Sequence, residues 1–319
     1  MPGSRGLGLG VLIVGLVSLT ACDTAKFAAE STSGLFQRAA PGIEQYWDYE
    51  TAGAAFPAAI IQLEGIMRVV PDNEVVVMSA IGAYIGYGNG WIEDRVEVAD
   101  AKDDWEEAEE LRARALIMYE RAWDLSKHLM RLRDENFDAA LSLGIDGLDI
   151  WLKAVLTEPE DAALAFWAGA SLGARINMGM EDMDTVADLP LAKVLLARSV
   201  ELDPDWLYMT PMMTLGVLAA SEFPPDMDRA KTIFDEVLEG TERRNLMVQL
   251  NMARYYAVNK GDSKLFKELL TEVLEAGDVL PEARLTNVLA RRRAQRYLDQ
   301  IEFFLQLNST MKVGCCDWS

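Results

Sequence analysis

Histidine and cysteine are almost absent from this sequence of 319 residues. His128 is the one histidine, so a zinc site built from several histidines is excluded, and a Ser-His-Asp triad would need this residue. The three cysteines are Cys22 and the adjacent pair Cys315 and Cys316. Because no cysteines are spaced along the body of the chain, the fold does not depend on disulfides and must be held by core packing.

Basic residues are also in short supply. The chain has 30 lysines and arginines against 51 acidic residues, which gives a formal net charge of −21. Such an excess repels the phosphates of nucleic acids, so nucleic acid is not an expected partner. The acids are interspersed with apolar residues, which is typical of solvated helix faces. The pattern indicates no catalytic residue, metal ligand or cofactor site, and we expect a protein that is not an enzyme.

Alternating apolar and polar residues, the signature of β-strands, are scarce as well. From residue 50 to 305 the apolar residues recur mostly every three or four positions, which indicates amphipathic helices. Prolines and glycines divide this region into about eleven or twelve helices, and Gly88–Gly90 is one of the expected breaks. The predicted fold class is therefore all-α.

Several of these helices have the spacing of a tetratricopeptide repeat, in which two antiparallel helices pack within about 34 residues. Ala59, Leu63 and Pro71 fit the pattern of its second helix. The fit is degenerate, so a generic helical bundle is the alternative to a solenoid of helix pairs. Residues 88–106 and 178–189 exceed the repeat and are predicted as insertions, which in solenoids often border the binding face.

The N-terminus has the three parts of an export signal. Arg5 precedes an apolar core from Leu7 to Leu19, which is shorter than the about 20 residues that span a bilayer. The run Leu19-Thr20-Ala21-Cys22 resembles a bacterial lipobox, whose cysteine is acylated and becomes the first mature residue. The mature protein would then lie on the periplasmic side of a bacterial membrane, inner or outer, and touch it only through lipid at Cys22.

These observations predict four parts of the chain. They are a signal peptide at 1–21, a lipid anchor and linker at 22–40, a tetratricopeptide-like helical domain at 41–307 and a tail at 308–319.

Two groups of side chains are candidates for binding. The first comprises aromatic residues that line a ligand cavity, if the helix pairs leave one, and otherwise belong to the core: Tyr84, Tyr87, Trp91, Phe166, Trp167 and Tyr255. The second is a basic island that either pairs within the molecule or docks an acidic partner: Arg284, Arg291, Arg292, Arg293 and Arg296.

Short motifs spread along the chain resemble one known family. They are Leu63-Glu64-Gly65, Pro71-Asp72-Asn73, Arg121-Ala122, Ala165-Phe166-Trp167, Asp188-Leu189-Pro190, Asn245-Leu246-Met247-Val248, Ala253-Arg254-Tyr255-Tyr256-Ala257, Leu285-Thr286-Asn287 and Ala290-Arg291-Arg292. Their order, behind a lipobox, resembles the T component associated with tripartite ATP-independent periplasmic (TRAP) transporters. The connector Pro224-Pro225-Asp226 departs from the pattern, because it lacks the glycine pair expected there.

The resemblance implies a homotrimeric lipoprotein of tetratricopeptide-like helix pairs that partners the periplasmic substrate-binding protein of a TRAP transporter. It also implies a largely apolar cavity in each protomer for an apolar or amphipathic ligand. The alternative function is a lipoprotein scaffold for the assembly of cell-envelope proteins. A third is a carboxylate-dependent hydrolase, which requires two acids that face each other across a polar cleft.

Overall fold

The computed structural model describes residues 24–180, 182–302 and 304. This part of the chain is 83% helical and has no strands, so the all-α prediction is confirmed. Its helical segments outnumber the eleven or twelve predicted because single turns such as Met183–Val186 are helical as well. The predicted signal peptide, the lipidation site Cys22 and the tail with Cys315 and Cys316 lie outside the described residues.

The helices follow one another with short connections. In chain order they are α1 (Thr24–Glu44), α2 (Tyr49–Met67), α3 (Glu74–Tyr87), α4 (Glu93–Asp100), α5 (Trp105–Arg133), α6 (Phe137–Ser142), α7 (Gly144–Val155), α8 (Ala162–Met178), α9 (Met183–Val186), α10 (Leu189–Leu202), α11 (Trp206–Ser221), α12 (Met227–Gly240), α13 (Leu246–Asn251), α14 (Val258–Lys260), α15 (Ser263–Glu275) and α16 (Arg284–Asp299). The π-helical turns Gly88–Ile92 and Met252–Ala257 join α3 to α4 and α13 to α14. Helix α1 covers most of the segment predicted as anchor and linker.

Asparagine and aspartate side chains fix where several helices begin. Asn73 accepts a hydrogen bond from the backbone N–H of Val76 at 3.1 Å, and Asp262 accepts one from Leu265 at 2.9 Å. These caps satisfy N–H groups that the first helical turn leaves without a partner.

Two large clusters of buried apolar side chains form the core. One joins α2, α3, α5, α7, α8 and α10, and the other joins α11 to α16. Small residues let the helices approach closely: a Cβ on Gly169 of α8 would lie 2.8 Å from Leu196 Cγ of α10. A third cluster places Tyr49 and Trp91 against Leu285. The beginning and the end of the helical region are therefore in contact.

The predicted break at Gly88–Gly90 and the predicted insertion at 88–106 are wrong. Glu74–Asp100 is one continuous helical stretch of 27 residues, with the π-helical turn in its middle. Gly88 is buried, and a Cβ there would lie 2.6 Å from the Tyr119 ring. The glycines thus permit close packing rather than a turn. The second predicted insertion, 178–189, falls on the connection between α8 and α10, which contains α9.

Glu74–Asp100 is also long and apolar enough to cross a membrane, judged by length and composition alone. However, 56% of its most apolar window is buried inside the protein. Its acidic residues Glu93 and Asp94 are buried as well and contact other helices. We therefore assign this stretch to the protein core.

Candidate functional site

The basic island of α16 meets acidic residues of α4 in the interior. Asp94 lies 3.3 Å from Nε of Arg292 and 3.7 Å from Nε of Arg293, and it also pairs with Arg296. Arg296 forms a second ion pair with Glu97. The side chain of Asp94 is only 4% exposed and that of Arg293 8%. Buried pairs of this kind are costly to break, since removal of one partner leaves the other charge uncompensated.

The two helices present matching charge patterns. Glu93, Asp94 and Glu97 have the spacing i, i+1, i+4 on α4, and α16 repeats this spacing with arginines at 292, 293 and 296. On a helix this spacing brings three side chains to one face. The sequence itself contains this acidic triplet within an otherwise apolar stretch. Because the region was predicted to be an insertion, the three acids were not among the predicted site residues.

Glu93 is a second buried acid of this network. Its carboxylate accepts a hydrogen bond from the Tyr119 hydroxyl of α5 and another, at 3.3 Å, from Asn89 Nδ2. Burial raises the pKa of Glu93 to about 7, against the opposing attraction of Arg293. Burial also raises the pKa of Tyr119, and the neighbouring Glu93 carboxylate adds to that shift. Burial alone would raise the pKa of Asp94 too, but its arginine partners, Arg296 first, lower it.

The first π-helical turn provides backbone partners for the same network. Arg293 donates to the carbonyl of Asn89, and the Tyr49 hydroxyl donates to the carbonyl of Gly90 at 3.1 Å. A π-turn frees carbonyl groups from the regular helical pattern, and such turns are frequent at functional sites. Here the freed carbonyls receive side chains from α2 and α16, which fastens the two ends of the helical region.

The remaining arginines of the island also have partners within the molecule. Arg284 pairs with Asp278 at 2.8 Å and donates to the carbonyl of Gln45 at 3.0 Å. Arg291 donates to the carbonyl of Gly277. The geometry therefore favours intramolecular pairing over the docking patch as the role of these residues.

The six aromatic candidates are distributed over separate places. Tyr87 and Trp91 stack with Tyr49 and Phe56, and the Tyr49 and Trp91 ring centroids are 5.1 Å apart. Trp91 Nε1 also donates to the Tyr49 carbonyl at 3.2 Å. This group fills the contact between α2, the first π-turn and α16, so it packs the joint between α2 and α16.

The other four candidates lie in three further places. Phe166 and Trp167 pack against Trp206, with the Phe166 and Trp206 centroids 4.9 Å apart. The Tyr84 hydroxyl donates to Glu64 at 2.9 Å, and Glu64 also pairs with Arg121. Tyr255 lies in the second π-turn. The structure does not bring the six rings to one cavity, and a ligand-lining role for them stays a prediction.

A cavity of about 230 Å³ lies between the start of α11 and the connection from α12 to α13, and none of the six aromatic candidates lines it. Tyr208 and Met209 line it in left-handed conformations with φ of 56° and 59°, and Glu242 next to it has φ of 50°. Asn245 holds the first turn by donating to the Tyr208 carbonyl at 3.0 Å. Gly240 is required because a Cβ there would lie 2.4 Å from Met209 Sδ.

The described residues contain no group of three or more His, Cys, Asp or Glu side chains that could hold a metal ion. His128 lies on α5 with Nε2 3.0 Å from the Pro71 carbonyl and 3.2 Å from Asp72. The buried acids face arginines and tyrosines rather than each other across a cleft. Among the described residues, this arrangement of buried charges therefore suits a structural joint between helices.

Comparison with known protein families gives a match over most of the chain. A family model described as TRAP transporter T-component matches residues 45–304, which is most of the chain. No curated protein matches the chain. The matched range runs from the residues just before α2 to the last described residue and includes both π-turns and the buried ion pairs.

Proposed function

Because the chain belongs to the TRAP transporter T-component family, we propose that it is a membrane-tethered helical lipoprotein that binds the substrate-binding subunit of a TRAP transporter. Association with a TRAP transporter follows from the family, which is a component of a transport system. The partner surface, the lipid tether and the bound ligand are the finer parts of the proposal.

The closed helical body supports a role as a binding scaffold. Asp94 and Glu97 of α4 pair with arginines of α16 about 200 positions along the chain, as in Arg296 to Asp94, where the separation is 202. Side chains ordered before association lose less entropy on binding than flexible ones. A body fastened in this way presents a preformed surface to a partner.

The lipobox motivates the tether. Acylation of Cys22 would hold the helical body on the periplasmic side of the membrane, within reach of the permease that receives the substrate. A bacterial lipoprotein carries more than one acyl chain, and two or more chains give stable anchoring. The resemblance motivates two further parts of the proposal, a homotrimer and an apolar or amphipathic ligand held in each protomer.

Co-purification tests the partnership. The detergent-extracted protein, treated with a mild crosslinker in cells, should be recovered together with a periplasmic substrate-binding protein. The Cys22→Ala form should still recover this partner, because the variant keeps the helical body. Clean absence of a binding protein from both forms would contradict the proposal. Sedimentation of the extracted protein tests the trimer, since a monomer would exclude it.

A further inference from the structure

Helix α1 turns large apolar side chains to solvent. Every residue of α1 whose side chain the structure describes is exposed, and Leu35 and Ile43 are the large apolar ones among them. Tyr46 and Trp47 follow the helix and are exposed as well, with their ring centroids 6.2 Å apart. Single exposed apolar residues are ordinary on a protein surface, whereas a group of them marks an interaction surface.

The spacing of these residues makes α1 amphipathic. At about 100° per residue, four exposed residues near its C-terminal end share one side of the helix: Leu35, Ala39, Gly42 and Ile43. Lys26, Glu30 and Glu44 lie on the opposite side, and Lys26 pairs with Glu30 at 3.9 Å. We call the four residues, together with Tyr46 and Trp47, the apolar face of α1. An amphipathic helix normally buries such a face, so this one calls for a partner outside the described residues.

The lipid surface is the nearest partner for this face. Helix α1 begins at Thr24, and only Asp23 separates it from Cys22, the residue proposed to carry the acyl chains. So short a tether holds the helix at a high effective concentration beside the membrane. A contact that is weak by itself is then sufficient, and it need not replace the lipid as the anchor.

The charge of this segment suits a lipid surface. Residues 24–47 carry two basic side chains, Lys26 and Arg38, and two acidic ones, Glu30 and Glu44, so the segment is neutral. The whole chain has a formal net charge of −21. Anionic head groups therefore repel the helical body but not α1. The tyrosine and tryptophan that follow the helix are the residue types enriched where a membrane meets water.

We propose that α1 lies in the plane of the lipid surface, with its apolar face among the head groups and the upper acyl chains. It does not cross the bilayer, because among the described helices only the stretch Glu74–Asp100 has the length and composition for that. The assignment rests on the proposed function in one respect, namely lipid at Cys22. It adds a protein contact to the lipid contact that the sequence predicts.

This contact would set the orientation of the helical body. Helix α1 packs against α3 and α16, and Arg284 of α16 donates to the carbonyl of Gln45, just after α1, at 3.0 Å. A lipid tether alone leaves the body free to turn about it. A helix that lies on the surface and is also held by the body removes this freedom, so a partner meets the body in one orientation.

Quenching of Trp47 by brominated lipid tests the contact. The lipidated protein is reconstituted in phosphatidylcholine vesicles with or without bromine on the upper acyl chains, and the tryptophan emission is compared. Bromine quenches only those rings that it touches. Because the chain has eight tryptophans, contact of Trp47 with lipid should remove about one eighth of the emission. Trp47→Phe should abolish this loss, and equal quenching of the two proteins would overturn the assignment.

Trp105→Phe is the matched control, since Trp105 of α5 is 62% exposed and Trp47 is 67% exposed. The quenching should persist in this variant. The double variant Leu35→Glu with Ile43→Glu keeps Trp47 but should lose the quenching, because two carboxylates resist transfer into an apolar layer. Ile117→Glu changes an exposed residue of α5 in the same way and should leave the quenching intact.

Flotation of the vesicles separates a failure of this contact from a failure of the tether. If the protein floats with the vesicles and Trp47 is not quenched, the α1 contact alone is wrong. If the protein does not float, lipid at Cys22 is wrong as well.

A second copy of the chain is the other possible occupant of this face. If Trp47 is not quenched and the double variant changes the sedimentation of the detergent-extracted protein, the face binds a copy and the membrane contact is wrong.

Discussion

Glu93 is a carboxylate whose protonation is coupled to folding. Because burial raises its pKa from 4.5 to about 7, the folded protein holds this proton more tightly than the unfolded chain does. The coupling thus favours the folded state below about pH 4.5, fades as pH rises and is lost above pH 7. A difference of this size corresponds to about 3 kcal/mol.

Glu93→Gln should remove this part of the pH dependence. The free energy of unfolding of the unchanged protein should fall between pH 5 and 7 relative to that of the variant, because only the former must ionise a buried acid. Urea unfolding at four pH values from 5 to 8 gives the free energy of unfolding of both proteins. Contributions from titrating groups that behave alike in the two proteins cancel in the difference. If the free energies of unfolding of the two proteins changed with pH in parallel, the buried position of Glu93 would be contradicted.

Asp94 is the acid on which the arginine pairs converge. Asp94→Asn keeps the shape of the side chain but leaves Arg293 and Arg296 without their shared counter-charge, so we expect a loss of about 3–5 kcal/mol of unfolding free energy. Asp278→Asn is the control, since its pair with Arg284 is exposed and screened by solvent, and it should change stability far less. Equal losses in the two variants would argue against a buried network.

At the scale of the element, packing of the first π-turn against α5 requires a glycine at position 88. Gly88→Ala would place a Cβ 2.6 Å from the buried Tyr119 ring, so we expect destabilisation by about 1–3 kcal/mol. Gly173→Ala in α8 has no atom within 4 Å and should be neutral or stabilising by up to about 1 kcal/mol. Thermal unfolding measures the stability of both variants. Unchanged stability of Gly88→Ala would mean that the first π-turn and the Tyr119 ring of α5 are further apart.

The connection after α12 contains a residue in an unfavourable conformation. Glu242 has φ of 50°, where a residue with a Cβ is disfavoured by about 1–2 kcal/mol relative to glycine. Glu242→Gly should therefore raise the free energy of unfolding by up to about 1 kcal/mol. Glu239→Gly, within α12, should lower it by a similar amount, because glycine weakens a right-handed helix. A loss of stability in both variants would contradict the left-handed turn.

At the scale of the whole molecule, anchoring and folding should be separable. Cys22 lies outside the described helical region, whose core is closed by contacts among α2, α4 and α16. We expect Cys22→Ala to retain the helical content and melting temperature of the lipidated protein and to leave the membrane fraction. Fractionation of cell envelopes followed by circular dichroism measures both. Membrane retention of the variant would exclude lipid at Cys22 as the anchor.

The recurrence of apolar residues every three or four positions, together with the prolines and glycines between helices, determined the all-α class from the sequence. Both features act over a few neighbouring positions. The sequence also showed the basic island that extends from Arg284 to Arg296. A family-like order of motifs followed from residues alone, and the family match confirmed it.

Only the tertiary structure decided what these features contact. Gly88 was expected to break a helix, because glycine by itself favours turns, yet the ring of Tyr119, 31 positions later, makes a small residue necessary within the helix. The arginines of α16 find Asp94 about 200 positions away. Such pairings depend on how the helices pack in space, and the spacing of residues along the chain does not specify this packing. These pairs hold α4 against α16.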